Sequence, residues 1–192
     1  MMQEAVPLFP LSAHILPGGR MALRIFEPRY VRMVKEACLN QSQFCICMFN
    51  SQGDKDKNQH IFPVGTLVHI VDFELLDDGL LGITVEGTSL VTIQNIITEK
   101  DGLRIGDATS VTGNLFDEGS INKHTKLADK LLEIIESYPE IKELYPEPKF
   151  NDLNWVVCRW LELLPIRAEE KQKLLTAEDK SAIPGYIEQL IK

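Results

Sequence analysis

The chain has 192 residues and a mass of 21.7 kDa, with 44% hydrophobic residues, 25% charged residues and a net charge of −8. That composition fits one large domain, or a domain with a small appendage; it excludes global disorder and leaves no room for an ATP-driven motor joined to a protease. Nucleic acid and anionic membranes are held chiefly through clustered Lys and Arg, so the acidic balance weighs against both. The charge is evenly spread, at −4 in each half: nine basic against thirteen acidic residues up to Asn114, and eleven against fifteen after it.

The chain starts with no basic and apolar leader, and it has no apolar run of about 18 residues that would span a bilayer. Ala5–Leu11 is apolar but holds Pro7 and Pro10, which suggests an edge strand at best. Leu16-Pro17-Gly18-Gly19-Arg20 is a turn, and Met21–Phe26 is a short strand. Pro28 suits a first helical position, and Tyr30, Val31, Val34 and Cys38 continue at helical spacing to a stop near Asn40. Phe44–Phe49 is apolar on both parities, as in a strand buried on both faces. Ser51–Gln59 is a polar surface loop. Val64–Leu76 is the longest strand expected. Asp77-Asp78-Gly79 and Asp101-Gly102 are hairpin turns, and Gly87-Thr88 breaks the strand between them. These short strands suggest a barrel or a sandwich.

Beyond a divide near Asn114–Ser120 the periodicity is helical. Leu127, Leu131, Ile134 and Ile135 form one stripe, and Leu153, Val156, Val157, Trp160, Leu161 and Leu164 a second, stopped by Pro165. Glu169–Thr176 is a third helix and Tyr186–Ile191 a short last one. Trp160 is core by its spacing. Trp155 lies off that stripe and is expected to be partly exposed.

Chemistry is sparse in the sequence. Gly82–Ser89 nearly matches a phosphate-binding loop, but Thr88 stands where the lysine is needed and the glycines lie in a strand pattern. His14, His60, His69 and His124 have no partner at zinc-ligand spacing, and His69 reads as a core or subsurface histidine. Cys45 reads as a small core hydrophobe. Asp72, Glu74, Asp77 and Asp78 read as a solvated hairpin end. No catalytic residue, metal ligand or cofactor is expected from these patterns.

One ordered set of motifs is specific. Pro7–Leu11, Leu16–Gly19, Leu23–Tyr30 (Leu-Arg-Ile-Phe-Glu-Pro-Arg-Tyr), Val64-Gly65-Thr66, Asp78-Gly79 and Val85-Glu86-Gly87 together resemble the amino-terminal substrate-binding domain of the Lon protease family. Leu163-Leu164-Pro165 with Glu169-Glu170-Lys171-Gln172 resembles that family's helical extension. Arg167 departs from the pattern, since it stands where a helix cap is expected. The Phe26–Tyr30 form resembles stand-alone Lon-like proteins most. The resemblance implies an α+β fold, a PUA-like β-barrel over residues 1–115 with one inserted helix, then a small helical bundle over 116–192.

The resemblance further implies a non-enzymatic module that recognises unfolded or degradation-marked polypeptide, with an ATP-dependent protease as a second partner; the absent leader and the four cysteines point to a cytoplasmic protein, and the acidic charge to neither nucleic acid nor membrane as partner. The loop His14–Met21 is the expected rim of the peptide site, contributing His14, Leu16, Gly18, Gly19, Arg20 and Met21, with Trp155 as a further contact. Leu16 and Met21 are its adaptable apolar groups. Glu27 and Arg29 suit a helix start without any ligand. Two alternatives remain: a PUA-like RNA-binding module, which needs a continuous positive groove, and a small hydrolase whose Cys or Ser meets a His only in the fold.

Overall fold

The computed structural model describes residues 4–111 and 121–192, so the expected divide near Asn114–Ser120 lies outside the described residues. The chain separates into two compact units, Met1–Val111 and Thr112–Lys192. Among the described residues there are six strands and six α-helices, an α+β fold.

The first unit holds β1 (Glu4–Leu11), β2 (Arg20–Ile25), α1 (Pro28–Asn40), β3 (Phe44–Phe49), β4 (Ile61–Leu75), β5 (Leu81–Thr98) and β6 (Arg104–Ser110). The sheet order is β2-β5-β4-β3-β1-β6, and β6 pairs back onto β5. The last pairing closes a five-stranded barrel, which removes the open edges a flat sheet would expose. β2 lies outside this ring, against Leu81–Glu86 of β5. β1 corrects the edge-strand expectation, because Leu8 is registered with Cys45 on one side and Arg104 on the other. Each proline removes a single donor, and the remaining residues of β1 still pair with two neighbours.

β5 is longer than β4, because the expected break at Gly87-Thr88 is a bulge. The register steps from Leu67–Ser89 to Val68–Gly87 and leaves Thr88 as the extra residue. The strand thereby bends from its β2 neighbour toward its β6 neighbour. A β-carbon on Gly87 would lie 2.5 Å from the Leu16 carbonyl oxygen, and one on Gly65 would lie 2.6 Å from Cys45 Sγ. Both glycines therefore permit close backbone approach. In the two hairpins only the glycine has positive φ, 80° at Gly79 and 86° at Gly102. Leu76 N–H donates to Leu80 O, and Glu99 N–H donates to Leu103 O, so both loops are three residues long with glycine in the left-handed position.

α1 begins at Pro28 and ends at Asn40, with Gln41 left-handed behind it. Its Tyr30, Met33, Val34 and Ala37 pack with Phe9, Phe44, Ile46, Val68, Ile83 and Val85. A second cluster joins Val6, Leu8, Cys45, Cys47, Val91 and Ile93. Alternate residues of β3 thus feed two cores, which is why that strand is apolar on both parities.

The second unit holds α2 (Thr125–Ser137), α3 (Pro139–Leu144), α4 (Leu153–Leu163), α5 (Ala168–Thr176) and α6 (Ile183–Leu190). Leu127, Leu131 and Ile135 of α2 are buried with Val156, Val157 and Leu161 of α4 and Ile187 of α6. Trp160 Nε1 donates to the Leu127 carbonyl at 2.9 Å. Asp152 caps α4, accepting from Asn154 N at 2.9 Å and Trp155 N at 3.3 Å. Arg167 stands at the start of α5 with no side-chain cap, as its residue type suggests.

Candidate functional site

The loop His14–Met21 is stitched into the barrel. Thr66 Oγ1 donates to Ile15 O at 2.7 Å, Gly18 N to Gly87 O at 2.8 Å and Gly87 N to Gly19 O at 2.9 Å. Ile15 and Leu16 are buried, and so are His14 and Gly19; Arg20 pairs with Glu86 at 2.7 Å. Of the residues expected to form the rim of a peptide site, His14, Leu16 and Gly19 are thus enclosed by the loop's own anchoring. Gly18 and Met21 stay half-buried, and Met21 packs against the core. Trp155 belongs to the other unit and is only 5% exposed, contrary to the partial exposure expected. Its ring meets Tyr145 and Phe150 edge-on, with centroids 5.5 and 5.6 Å away. Tyr145 and Phe150 flank the Pro146-Glu147-Pro148 segment between helices, so helical spacing alone gave no sign of them.

Apolar surface is presented elsewhere in the barrel unit. Leu23, Ile83 and Phe73 are registered across β2, β5 and β4, and so are Ile25, Leu81 and Leu75. The alternating residues Arg24, Gly82 and Glu74 form a second cross-strand row. On the apolar face Ile25 and Ile83 are buried, whereas Phe73 is 70% and Leu75 79% exposed. The apolar stripe thus continues beyond the core into solvent. β3 pairs with β4 only as far as Val68, so from His69 onward β4 pairs with β5 alone among the described residues. Beside that stretch lies a groove of about 480 Å³ lined by Ala37, Cys38, Gln41 and Ser42 of the α1 end and His69–Phe73 of β4. His69 is exposed there, which corrects its reading as a core residue; the Ile70–Asp72 bulge shifts the side-chain alternation.

This groove has both a Cys and a His, Cys38 and His69, in its lining. Among the described residues Cys38 and His69 share no hydrogen bond, so no nucleophile and base are coupled there. Cys45, Cys47 and Cys158 are buried. Burial pushes the Cys47 thiol well up and the Cys158 thiol up to about 12, so both stay protonated and unreactive.

A second opening, of about 370 Å³, lies at the other end of α1. Its apolar wall comes from Phe9, Leu23, Ile25, Phe26, Tyr30 and Phe49, and its charged wall from Arg24, Glu27, Arg29, Lys55 and Arg104, with His60 beside them. Arg29 pairs with Glu27 at 2.6 Å, donates to Gly102 O at 3.0 Å and lies 4.7 Å over the Tyr30 ring. Arg24 pairs with Asp78. Arg104 donates to Asn58 Oδ1 at 3.0 Å and to Gly102 O at 3.3 Å, and Lys55 lies 5.8 Å from the Phe49 ring centre. Neither Arg104 nor Lys55 meets a carboxylate among the described residues. His60 is only 3% exposed, and its buried Nδ1 has no hydrogen-bond partner among the described residues; the same holds for buried Nε of Arg29. Burial, with Arg104, Lys55 and Arg29 nearby, holds the His60 imidazole below its ordinary range. Sequence reasoning reached Arg29 through the Phe26–Tyr30 motif. It missed Lys55, His60 and Arg104, which lie on a polar loop, a strand start and a post-turn position with no spacing to link them.

The family model of the ATP-dependent protease La (LON) substrate-binding domain matches residues 5–182. The chain belongs to this family. Among curated proteins it is similar to Lon protease 1 of Bdellovibrio bacteriovorus, at 27% identity over 88% of this chain. It spans 22% of the length of that relative. Among solved structures it is similar to a Lon N-terminal domain protein from Xanthomonas campestris, at TM-score 0.70 and 28% identity, covering 98% of this chain and 97% of that one. The N-terminal domain of Mycobacterium avium complex Lon protease, at TM-score 0.65 and 14% identity, shares the fold, over 97% of each chain. The matched residues run through both units, so the helices after Val111 are part of the family pattern, as the Leu163–Gln172 motif implied. A Lon substrate-binding domain is itself a non-catalytic part.

Proposed function

We propose that this chain is a non-enzymatic polypeptide-recognition module that acts in the cytoplasm on unfolded or degradation-marked protein. The observation that carries the reading is the combination of a stretch of β4 that pairs on one side only, among the described residues, with the solvent-exposed Phe73 and Leu75 along it. An extended client segment could add to such an edge through backbone hydrogen bonds while its apolar side chains meet the stripe. Asp72 and Glu74 place charge along the same edge, which discourages pairing between copies of the chain itself. Membership of the Lon substrate-binding family supports the same client class, and the free state of all four cysteines suits a reducing compartment. Association with an ATP-dependent protease is the second partner proposed, with this chain presenting the client.

Fluorescence anisotropy with a labelled, reduced and alkylated unfolded protein tests the reading. Binding in the micromolar range is expected, and Phe73→Ser with Leu75→Ser should weaken it about tenfold, since each removes an exposed apolar contact without touching the core. Absence of binding at high micromolar concentration, or unchanged affinity in the double variant, would overturn it. A pulldown from a cytoplasmic extract that recovers clients but no protease would remove the presenting role and keep the binder.

A further inference from the structure

We propose that the pocket at the amino-terminal end of α1 binds a carboxylate carried by an apolar segment of polypeptide, with Arg104 and Lys55 supplying charge and His60 a buried hydrogen-bonding group. The proposal rests on the polypeptide reading above and adds an anchor to it. The chain as a whole is acidic at −8, yet four of the nine basic residues in its first 114 line this one opening. Arg24 and Arg29 have internal counter-charges in Asp78 and Glu27. Arg104 and Lys55 do not among the described residues, which leaves the pocket two positive charges in excess. Two enclosed polar atoms, His60 Nδ1 and Arg29 Nε, lack partners among the described residues. A buried polar atom left without a partner is unfavourable by more than a typical net hydrogen bond returns; Arg29 Nε–H is a donor, and His60 Nδ1 is one when it carries the proton, so both can meet an acceptor.

The walls decide what carries the charge. Phe9, Phe26, Tyr30 and Phe49 offer aromatic surface on the remaining sides, and about 370 Å³ is room for a residue or two rather than a polymer backbone. A nucleic acid would need a basic stripe along several phosphates, and the cations here converge on one point instead. The amino terminus of α1 opens at the same place through Glu27, Arg29 and Tyr30, and its dipole adds to the positive field. Leu23 and Ile25 line the pocket and are registered with Ile83 and Leu81, whose partners on β4 are Phe73 and Leu75. This wall of the pocket and the exposed Phe73 and Leu75 thus belong to the same three strands, β2, β5 and β4.

The carboxylate has two sources in a polypeptide: the chain terminus and an Asp or Glu side chain. Three fluorescein-labelled peptides separate them: Gly-Ser-Gly-Leu-Val-Phe with a free terminus, the same peptide amidated, and an amidated peptide with Asp in place of the last Ser-flanked Gly. Anisotropy with the full chain should show the free-terminus or the Asp peptide, or both, binding at least tenfold more tightly than the amidated one. Lys55→Gln and Arg104→Gln should each remove three- to tenfold of that advantage, with less than twofold change for the amidated peptide. Circular dichroism of both variants controls for folding. Lys55 is exposed, so Lys55→Gln remains informative if Arg104→Gln fails to fold.

A pH series adds a readout that a structural role for His60 would not move. A carboxylate facing His60, among Arg29, Arg104, Lys55, Glu27 and Tyr30, raises the imidazole pKa on binding. Affinity should then rise several-fold as the pH falls from about 7 to about 5.5, and His60→Gln should flatten that slope. Equal affinity for the three peptides would overturn the proposal while keeping the polypeptide reading. Failure of every peptide to bind, with N-acetyl-phenylalanine still shifting the His60 ring protons in NMR, would overturn the polypeptide reading and keep the carboxylate pocket. Displacement of the free-terminus peptide by single-stranded RNA at lower concentration would overturn both in favour of nucleic acid.

Discussion

Each unit sets cationic groups against aromatic rings, and the two treat them differently. In the helical unit Arg159 is 1% exposed, and its guanidinium stands 5.7 and 5.3 Å from the Tyr145 and Trp155 ring centres. Glu162 takes it in a two-pronged pair, Nε to Oε2 at 2.6 Å and Nη2 to Oε1 at 2.8 Å. In the barrel unit Arg104 and Lys55 stand beside Phe49, Tyr30 and His60, and neither forms an ion pair with a carboxylate among the described residues. The ingredients match, and the difference lies in where the counter-charge comes from. A cation neutralised from within its own helix serves packing, because its field is spent before it reaches solvent. A cation with an open partner position keeps its field for a ligand.

The largest expected effect breaks the first half of that comparison. Glu162→Ala strands a buried guanidinium, and urea unfolding should show a loss of about 3–5 kcal/mol. A loss under about 1 kcal/mol would mean that Arg159 reaches water on its own and that the pair is ornamental.

The same region offers a pH test. Lys171 is buried, and burial lowers its ammonium from the ordinary 10.5 to about 8, with Glu162 opposing. Below pH 8 the folded state must hold a desolvated charge. Between about 8 and 10.5 the unfolded chain binds a proton that the folded chain does not, so this group's contribution to stability rises with pH across that window. Lys171→Met should therefore stabilise the protein by about 2 kcal/mol at pH 7, with the gain shrinking toward zero by pH 10.5. The difference between variant and parent isolates Lys171 from the buried thiols, whose raised pKa values act in the opposite direction at higher pH. Equal gain at both pH values would show that the gain comes from packing alone.

These regions also differ in how legible they were. Local signals survive translation into structure: Pro28 at a helix start, Gly79 and Gly102 in hairpins, and the Leu127–Leu131–Ile135 stripe all act through neighbours within a few residues. Ordered motifs spaced along the chain carried the fold family, since Gly65 and Gly87 are needed where distant backbones meet. The failures are all long-range. β1 became a central strand because β3 and β6 arrive on either side of it, which no pattern in Ala5–Leu11 encodes. Thr88 became a bulge because β5 must serve two different neighbours. Leu16 and Trp155 have residue types suited to a binding surface, but the Gly18–Gly87 pairing and the Tyr145 and Phe150 rings bury them. The pocket at α1 gathers Arg29, Lys55, His60 and Arg104 from four separate segments, so its charge vanishes in an evenly acidic sequence.

A smaller effect checks that the Arg159 site depends on its helix being well started. Asp152 accepts two backbone donors at the head of α4, the helix that carries Trp155, Arg159 and Glu162. Asp152→Ala should lower stability by about 1 kcal/mol in urea unfolding, and Asp152→Asn by less, because the amide oxygen still caps. An equal loss in both would assign the effect to charge at the helix dipole rather than to the hydrogen bonds.

The smallest expected effect sharpens the other half of the comparison. Lys55 is exposed, lies 5.8 Å from the Phe49 ring centre and has no ion pair among the described residues, so folding gains little from its charge. Lys55→Gln should change stability by less than about 0.5 kcal/mol in urea unfolding. If anything the change is a slight gain, since removing one of the three positive charges around His60 relaxes a like-charge cluster. The contrast with Glu162→Ala is then the measurable form of the difference between the units: one alters folding with no ligand in view, the other alters carboxylate affinity with folding intact. A stability loss above about 1 kcal/mol for Lys55→Gln would place the barrel cations in the same structural class as Arg159 and remove the reason to expect a ligand beside them.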